Sequence, residues 1–185
     1  MAALTKNELM TLIKGANSVK SINLTGADLR DLDFRGINLS GVNLSGANLS
    51  DANLRGVNLR LANLSGAILT RAKFSGAALC SANLSEACLM LACLQEANLT
   101  GADLSDTNFT RANLSYANLT LADLSWANLS GAILKGANLS GAELWDVKLF
   151  DADFSGANMS GANADKWSLC CARDLNLKGL NLLKS

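Results

Sequence analysis

The sequence repeats every five residues over most of its length. Stepping by five from Leu24 to Met159 gives 28 successive centres, and each centre is leucine, phenylalanine or methionine. Two residues before the centre, 21 of the 28 positions hold alanine, and the residue just before the centre is Asn or Asp in 20 units. The position two residues after the centre holds 13 of the 15 glycines. So regular a repeat requires every unit to adopt the same local conformation.

The period of five indicates which conformation that is. It fits neither the side-chain period of a strand, about 2.0 residues, nor that of an α-helix, about 3.6 residues. Each unit reads apolar, polar, apolar and then two polar or glycine residues, which predicts a short strand with both ends pointing inward, followed by a corner. Glycine suits a corner with positive φ. Four corners close a coil of 20 residues, so 28 units predict an all-β solenoid of seven four-sided coils, about 34 Å long.

The units themselves carry a family resemblance. Residues 47–66 read ANLSD, ANLRG, VNLRL and ANLSG, and this resembles the A(D/N)LXX signature of pentapeptide-repeat proteins over residues 21–164. The resemblance implies a right-handed quadrilateral parallel β-helix in which the centre and the residue two before it point inward. Such proteins are abundant in cyanobacteria. It also implies a possible role, because one subgroup of the family imitates duplex DNA and binds type II topoisomerases.

The two ends of the chain depart from the repeat, and a solenoid needs a cap at each end. Residues 1–20 are predicted to form an N-terminal capping segment containing a short α-helix over 5–14, because Leu9, Leu12 and Ile13 share one helical face. Residues 21–164 form the repeat domain. In residues 165–185 the register shifts by three, which permits a further irregular half-coil or an irregular cap containing extended pieces; the cap is the favoured prediction.

Composition excludes several classes of chemistry. The chain has no histidine, which removes the Ser-His-Asp and Cys-His nucleophile pairs and histidine metal ligands. Leucine fills the predicted interior and leaves no space for a substrate. We therefore expect no enzyme activity, no cofactor and no metal site.

Charge and cysteine usage set expectations for partners and compartment. With 16 basic and 16 acidic residues the net charge is zero, which argues against direct binding of nucleic acid. No stretch of about 18 apolar residues is present, so no membrane span is expected. Five cysteines without a signal peptide or a CxxC spacing predict a reduced, cytoplasmic protein without zinc.

Residues 20 apart stack on one face of such a solenoid, so surface columns can be identified from the numbering. One face and its corner combine acidic and aromatic residues, which could be a binding patch for a protein partner, a wall of solvated acids or, given stacked carboxylates, a hard-cation site. The seven residues of this candidate patch are Asp103, Asp106, Asp123, Trp126, Glu143, Trp145 and Asp146.

Apolar residues replace the usual Asn and Ser on the next face, near the middle of the rod. Ile68, Cys88, Met90 and Leu91 form this candidate self-association patch. A contiguous apolar group can mark an interface, here a possible homodimer, whereas it can also reflect a tolerant surface.

Three functions remain compatible with the sequence. The first is a non-catalytic rigid scaffold for protein–protein interaction, a regulatory or stress-related adaptor of the cyanobacterial kind that the resemblance implies. The alternative is a DNA-mimicking binder of a type II topoisomerase (gyrase), which the zero net charge disfavours. A purely structural protein is the third.

Overall fold

The computed structural model describes residues 24–165, the backbone of 181–183, and the separate residues Asn7, Glu8, Met10 and Thr11. From Leu24 the chain winds through seven coils of 20 residues, which we number 1 to 7. Each coil contributes one five-residue unit to each of four faces. The first face carries the centres from Leu24 to Ala164 in steps of 20, and the second, third and fourth faces begin at Leu29, Phe34 and Leu39.

Parallel pairing between residues 20 apart joins the coils. The pairs run without interruption from Asp28 with Asn48 to Asn138 with Asn158, in each case between the residues that precede two stacked centres. Three short strands continue this ladder on the first face: β1 (Glu143–Leu144), β2 (Asn163–Asp165) and β3 (Asn181–Leu183), which form a parallel sheet in the order β1-β2-β3. The predicted 20-residue coil is thus confirmed.

Most corners have the hydrogen bond and the positive φ of a type II turn. In the first turn the N–H of Ala27 donates to the C=O of Leu24 at 3.1 Å, and Gly26 between them has φ 64°. The corner residue of every unit from 26 to 161 has positive φ, which confirms why glycine is favoured there. Fifteen corners nevertheless hold other residues. An isolated residue of that kind costs about 1 to 2 kcal/mol, so the ladder must impose the conformation.

The five backbone N–H groups of a typical unit all have partners. In the ladder, the N–H of Leu29 donates to the C=O of Asn48 at 2.7 Å, while the N–H of Asn48 donates back to Ala27 at 2.9 Å. The residue after the centre points its N–H away from the ladder, and the Asn side chain two residues earlier accepts it, as from Ser40 to Oδ1 of Asn38 at 3.0 Å. This bond explains the preference for Asn or Asp before the centre.

The core is the continuous column of centres. All 28 centres are at most 2% exposed, and the alanine or valine two residues earlier is buried from Val42 onward. Thr107 occupies one of these small inward sites, and its hydroxyl donates to the C=O of Leu84 at 2.9 Å. The predicted inward positions are therefore confirmed, and the interior is filled by side chains.

Most of both predicted caps lies outside the described residues. Asn7, Glu8, Met10 and Thr11 have helical backbone, and Met10 packs against the core. The N-terminal helix and the domain boundaries stay predictions. At the other end, β3 pairs with β2 so that Leu182 lies beside Ala164, a spacing of 18 residues instead of 20. The shift in register therefore carries an extended segment onto the first face, whereas residues 166–180 are outside the description.

Candidate functional site

The acidic column of the first face has the arrangement expected from the numbering. Asp103 pairs with Asp123, and Asp123 pairs with Glu143, on three consecutive coils. All three side chains are half-buried. Neighbouring parallel strands lie about 4.8 Å apart, so the three carboxylates follow one another closely along the rod.

Asp103 and Asp123 accept the same hydrogen bonds within their units that asparagine accepts in other units. Oδ1 of Asp103 accepts the N–H of Ser105 at 3.1 Å and its hydroxyl at 2.6 Å. Oδ1 of Asp123 accepts the N–H of Ser125 at 2.9 Å. Each carboxylate thus completes its own turn, and the negative charge is added to a structural position without changing the fold.

Glu143 is longer and reaches two neighbours. Its Oε2 accepts the indole N–H of Trp145 at 2.8 Å, and its Oε1 accepts the side-chain amide of Asn163 on the next coil at 2.8 Å. These bonds fix both carboxylate oxygens and hold the indole of Trp145 against the face.

The two tryptophans of the candidate patch differ in exposure. Trp126 stands at the corner between the first and second faces with φ 60° and is 56% exposed. Its backbone N–H donates to the C=O of Trp145 at 2.7 Å, so the two residues lie on adjacent coils. Trp145 is half-buried, and its indole N–H donates to Glu143. Trp126 is therefore the more exposed of the two tryptophans.

Two corner carboxylates complete the patch, and the structure adds a third acid. Asp106 and Asp146 are exposed at the same corner as Trp126. The N–H of Asp146 donates to the side chain of Asp165 at 2.9 Å. Asp165 was missed in the sequence analysis, although it lies 20 residues after Trp145 and so falls in the same column.

No group of three Cys, Asp or Glu among the described residues is close enough to hold a metal ion. The reading of the acidic column as a cation site therefore has no support in this part of the chain.

The structure also brings the four residues of the candidate self-association patch together. Ile68 pairs with Cys88 on the second face, and Met90 and Leu91 follow on the same coil as Cys88. Ile68 is 43% and Leu91 50% exposed, whereas Cys88 and Met90 are half-buried. The Cys88 thiol lies 3.5 Å from the hydroxyl of Thr70.

Five further exposed apolar side chains were missed in the sequence analysis, namely Leu61, Tyr116, Leu121, Ile133 and Phe150. Phe150 is 70% exposed and lies in the same column as Met90, three coils further along. Leu61, Tyr116 and Leu121 occupy corners and are between 59% and 70% exposed. Each stands at a corner position where glycine is the most frequent residue, which is the signal that could have identified the three corner residues.

The arginines near the N-terminal end are largely paired with acids. Arg30 with Asp28 and Arg35 with Asp33 form ion pairs at 2.7 Å. Both pairs bridge residues two apart on one strand. Hydrogen bonding to the carboxylate, reinforced by its charge, raises the pKa of each of these arginines.

Arg71 and Asp51 make a pair of another kind, between consecutive coils at 2.6 Å. The hydrogen bond from Arg71 lowers the pKa of Asp51, and the positive charges of Arg71 and Lys73 act in the same direction. This pair therefore fastens two coils to each other at the corner between the second and third faces.

Cys80, Cys88 and Cys93 are free thiols, whereas Cys170 and Cys171 lie outside the described residues. None of the described residues belongs to a helix of the length and hydropathy needed to cross a membrane. The expected cytoplasmic location stays a prediction.

Comparisons with known proteins agree with this architecture. The family model for pentapeptide repeats matches residues 22–60, 58–95, 92–131 and 127–163. A comparison with the curated proteins finds no significant match.

Several solved structures are similar. HetL, a pentapeptide repeat protein involved in the regulation of heterocyst differentiation in the cyanobacterium Nostoc sp., is 29% identical, with a TM-score of 0.60 over 86% of this chain and 81% of HetL. Rfr23 from the cyanobacterium Cyanothece is 27% identical, with a TM-score of 0.36 over 74% of this chain and 86% of Rfr23. QnrB1, a plasmid-mediated fluoroquinolone resistance protein, is 24% identical, with a TM-score of 0.45 over 78% and 77% of the two chains.

The family model covers most of the chain, and the repeat, the corner conformation and the coil length that it implies are all present in the structure. The chain therefore belongs to the family of pentapeptide-repeat proteins.

Proposed function

We propose that this protein is a non-catalytic, rigid scaffold that binds a protein partner through the acidic and aromatic patch of the first face. The observation that carries the proposal is the position of Trp126, 56% exposed at a corner where Asp106 and Asp146 occupy the same position on the two neighbouring coils. An exposed tryptophan supplies much of the binding energy at protein interfaces, and acidic groups around it select a basic partner.

Rigidity supports this role. The acidic side chains project from backbone that is paired on both sides, and their carboxylates are held by hydrogen bonds, as in Asp103 and Glu143. A partner therefore meets carboxylates at fixed spacing and loses little of its binding free energy to ordering them. Similarity to HetL, a protein involved in regulating differentiation, supports a regulatory adaptor as the biological role.

The test compares two exposed aromatic residues. Trp126→Ala removes the proposed anchor, whereas Tyr116→Ala removes an aromatic side chain of similar exposure, 59%, at a corner away from the first face. Each variant is immobilised and used to recover partners from a lysate of the source organism, with quantification by mass spectrometry. We expect at least a tenfold lower recovery of the wild-type partner with Trp126→Ala and no change with Tyr116→Ala.

Two further observations complete that experiment. Raising the salt concentration from about 50 to 500 mM should reduce recovery, because exposed charges are screened over about 8 Å near physiological ionic strength. Circular dichroism shows that each variant keeps its fold. If both variants recover the partner as well as wild type does, the first face does not bind the partner and the binding site lies elsewhere.

The alternative, a DNA-mimicking topoisomerase binder, requires acidic surface over much of the rod. Here the acidic residues of the patch occupy one face and one corner, and the third face carries Arg35, Arg55 and Lys73. A gyrase supercoiling assay with and without the protein separates the two hypotheses, because a scaffold for another partner leaves supercoiling unchanged.

A further inference from the structure

The second face differs from the other three because apolar residues occupy its middle. Coil 4 is the central one of the seven coils, and on this face it presents Cys88, Met90 and Leu91, with Ile68 beside them on coil 3. Two of these residues, Ile68 and Leu91, are at least 43% exposed. An apolar group at the centre of a flat face, bordered by polar residues, is the usual arrangement of a protein interface.

The two ends of this face carry different groups at equivalent positions. Before the centre, coil 1 has Asp28 and coil 7 has Lys148; after the centre, coil 1 has Arg30 and coil 7 has Phe150. All four side chains are exposed. A second copy running in the opposite direction would therefore present a cation to Asp28 and an aromatic ring to Arg30.

We propose that two copies of this chain associate through their second faces as an antiparallel dimer with a two-fold axis at coil 4. In this arrangement coil 1 of one copy faces coil 7 of the other, and coil 4 faces itself. Met90 and Leu91 pack against the same residues of the partner copy. Asp28, already paired with Arg30, receives a second cation from the partner's Lys148, and Arg30 stacks on the partner's Phe150.

The same operation suits the other faces less well. On the third face coil 4 presents Cys93 and Gln95, on the fourth face Asn98 and Thr100, and on the first face Asn83 and Ser85. Among the described residues, only the second face combines an apolar middle with opposite charges before the centres of its end coils, Asp28 and Lys148. At its rim the same operation places Arg71 opposite the partner's Arg111 and Asp31 opposite the partner's Asp151, pairs of like charge that the central contacts must outweigh.

The proposed dimer leaves the acidic column of the first face uncovered, whereas the corner that carries Trp126 lies at the rim of the interface. Because the axis runs along the strand direction, it turns the rod end for end but keeps the first faces of both copies on the same side. A partner with two binding sites could then engage both patches, and the second contact would be strengthened by its high effective concentration. The dimer does not depend on that partner, and each proposal can fail without the other.

Oligomeric state is measured first, by sedimentation equilibrium under reducing conditions. Leu91→Lys should raise the dimer dissociation constant at least tenfold. Leu121→Lys is the matched control, because Leu91 and Leu121 are both exposed corner leucines, with φ 59° and 58°, but Leu121 lies at a different corner. The same axis brings Glu86, at the rim of coil 4, opposite its own copy, so Glu86→Gln should tighten the dimer.

Direction is tested by thiol cross-linking in a chain whose five cysteines are replaced, with circular dichroism to check the fold. Asp28→Cys and Lys148→Cys variants are mixed and treated with a bismaleimide that spans about 10 Å, the usual distance between packed sheet faces. The proposal predicts cross-links between the two different variants. A wild type that is monomeric up to about 200 µM, an affinity weaker than about −5 kcal/mol, overturns the proposal. So do equal effects of the two leucine variants, or cross-links only between identical ones.

Discussion

The ring of Tyr116 lies directly over the backbone of Gly136 on the next coil. A Cβ atom built on Gly136 would stand 2.6 Å from Cε1 of Tyr116, closer than two carbon atoms can approach. The ring of Tyr116 therefore fits only because the corner residue of the next coil, Gly136, has no side chain. Leu121 and Gly141 repeat this relationship, with a Cβ on Gly141 lying 2.8 Å from Leu121 Cδ2.

This contact predicts that the same Gly→Ala substitution lowers the free energy of unfolding by different amounts at two corners. Gly26 and Gly136 both have φ +64°, but a Cβ on Gly26 would meet nothing within 4 Å. Gly26→Ala should cost about 1 kcal/mol through the strained backbone alone. Gly136→Ala should cost about 1 kcal/mol more, because the ring of Tyr116 must swing away and lose its packing.

Chemical denaturation followed by circular dichroism measures both variants. The double variant Tyr116→Ala with Gly136→Ala provides the control, because it removes the ring that the new methyl group would meet. Its cost, relative to Tyr116→Ala alone, should fall to that of Gly26→Ala. Equal costs for Gly26→Ala and Gly136→Ala from the outset would show that Tyr116 does not pack there.

Asparagine at a buried centre should destabilise the protein far more than asparagine at an outward-facing position. Leu114 is fully buried, so Leu114→Asn leaves a cavity and an unpaired amide and should cost about 3 kcal/mol or more. Gln95 is exposed one coil earlier on the same face, and Gln95→Asn should cost less than about 0.5 kcal/mol. Urea unfolding midpoints give the comparison, and similar midpoints for the two variants would contradict the assignment of the centre as core.

The side-chain bond inside each unit should contribute to stability according to its burial. Oδ1 of Asn113 accepts both the N–H and the hydroxyl of Ser115, and Ser115 is only 6% exposed. Asn113→Ala therefore leaves two buried donors without partners and should cost about 2 kcal/mol. Asn58→Ala removes a single bond to the N–H of the exposed Arg60 and should cost about 0.5 kcal/mol. Thermal unfolding of the two variants ranks them, and a larger loss for Asn58→Ala would refute the argument.

The pair between Asp51 and Arg71 predicts a stability difference that depends on pH. The arginine lowers the pKa of Asp51 below its ordinary value of 3.8, so the ionised, paired form is favoured in the folded protein. The contribution is therefore present above pH 3.8 and is lost as pH falls through the lower folded pKa. Wild type should be slightly more stable than Asp51→Asn at pH 7, and the difference should disappear near pH 2. A difference that persists unchanged in acid would mean that the ion pair is not its source.

Over residues 24–165 the sequence alone was sufficient to predict the path of the backbone. The period of five identified Leu114 as a buried centre, Gly26 as a corner with positive φ, and Asp103 and Asp123 as neighbours in one column. These follow from local geometry, because every unit repeats one conformation and four units close one coil. Any residue can therefore be assigned to a face and a coil by counting.

What the sequence did not determine is how outward side chains pack against their neighbours on the same coil and on the next coil. Ser115 occupies an outward position but is buried, with its hydroxyl turned back to Asn113. Trp145 binds Glu143 while Trp126 stands exposed, although both are outward tryptophans. Tyr116 needs a glycine on the following coil. Such outcomes depend on side-chain rotamers and on contacts with the coil above or below, and only the packed tertiary structure decides them.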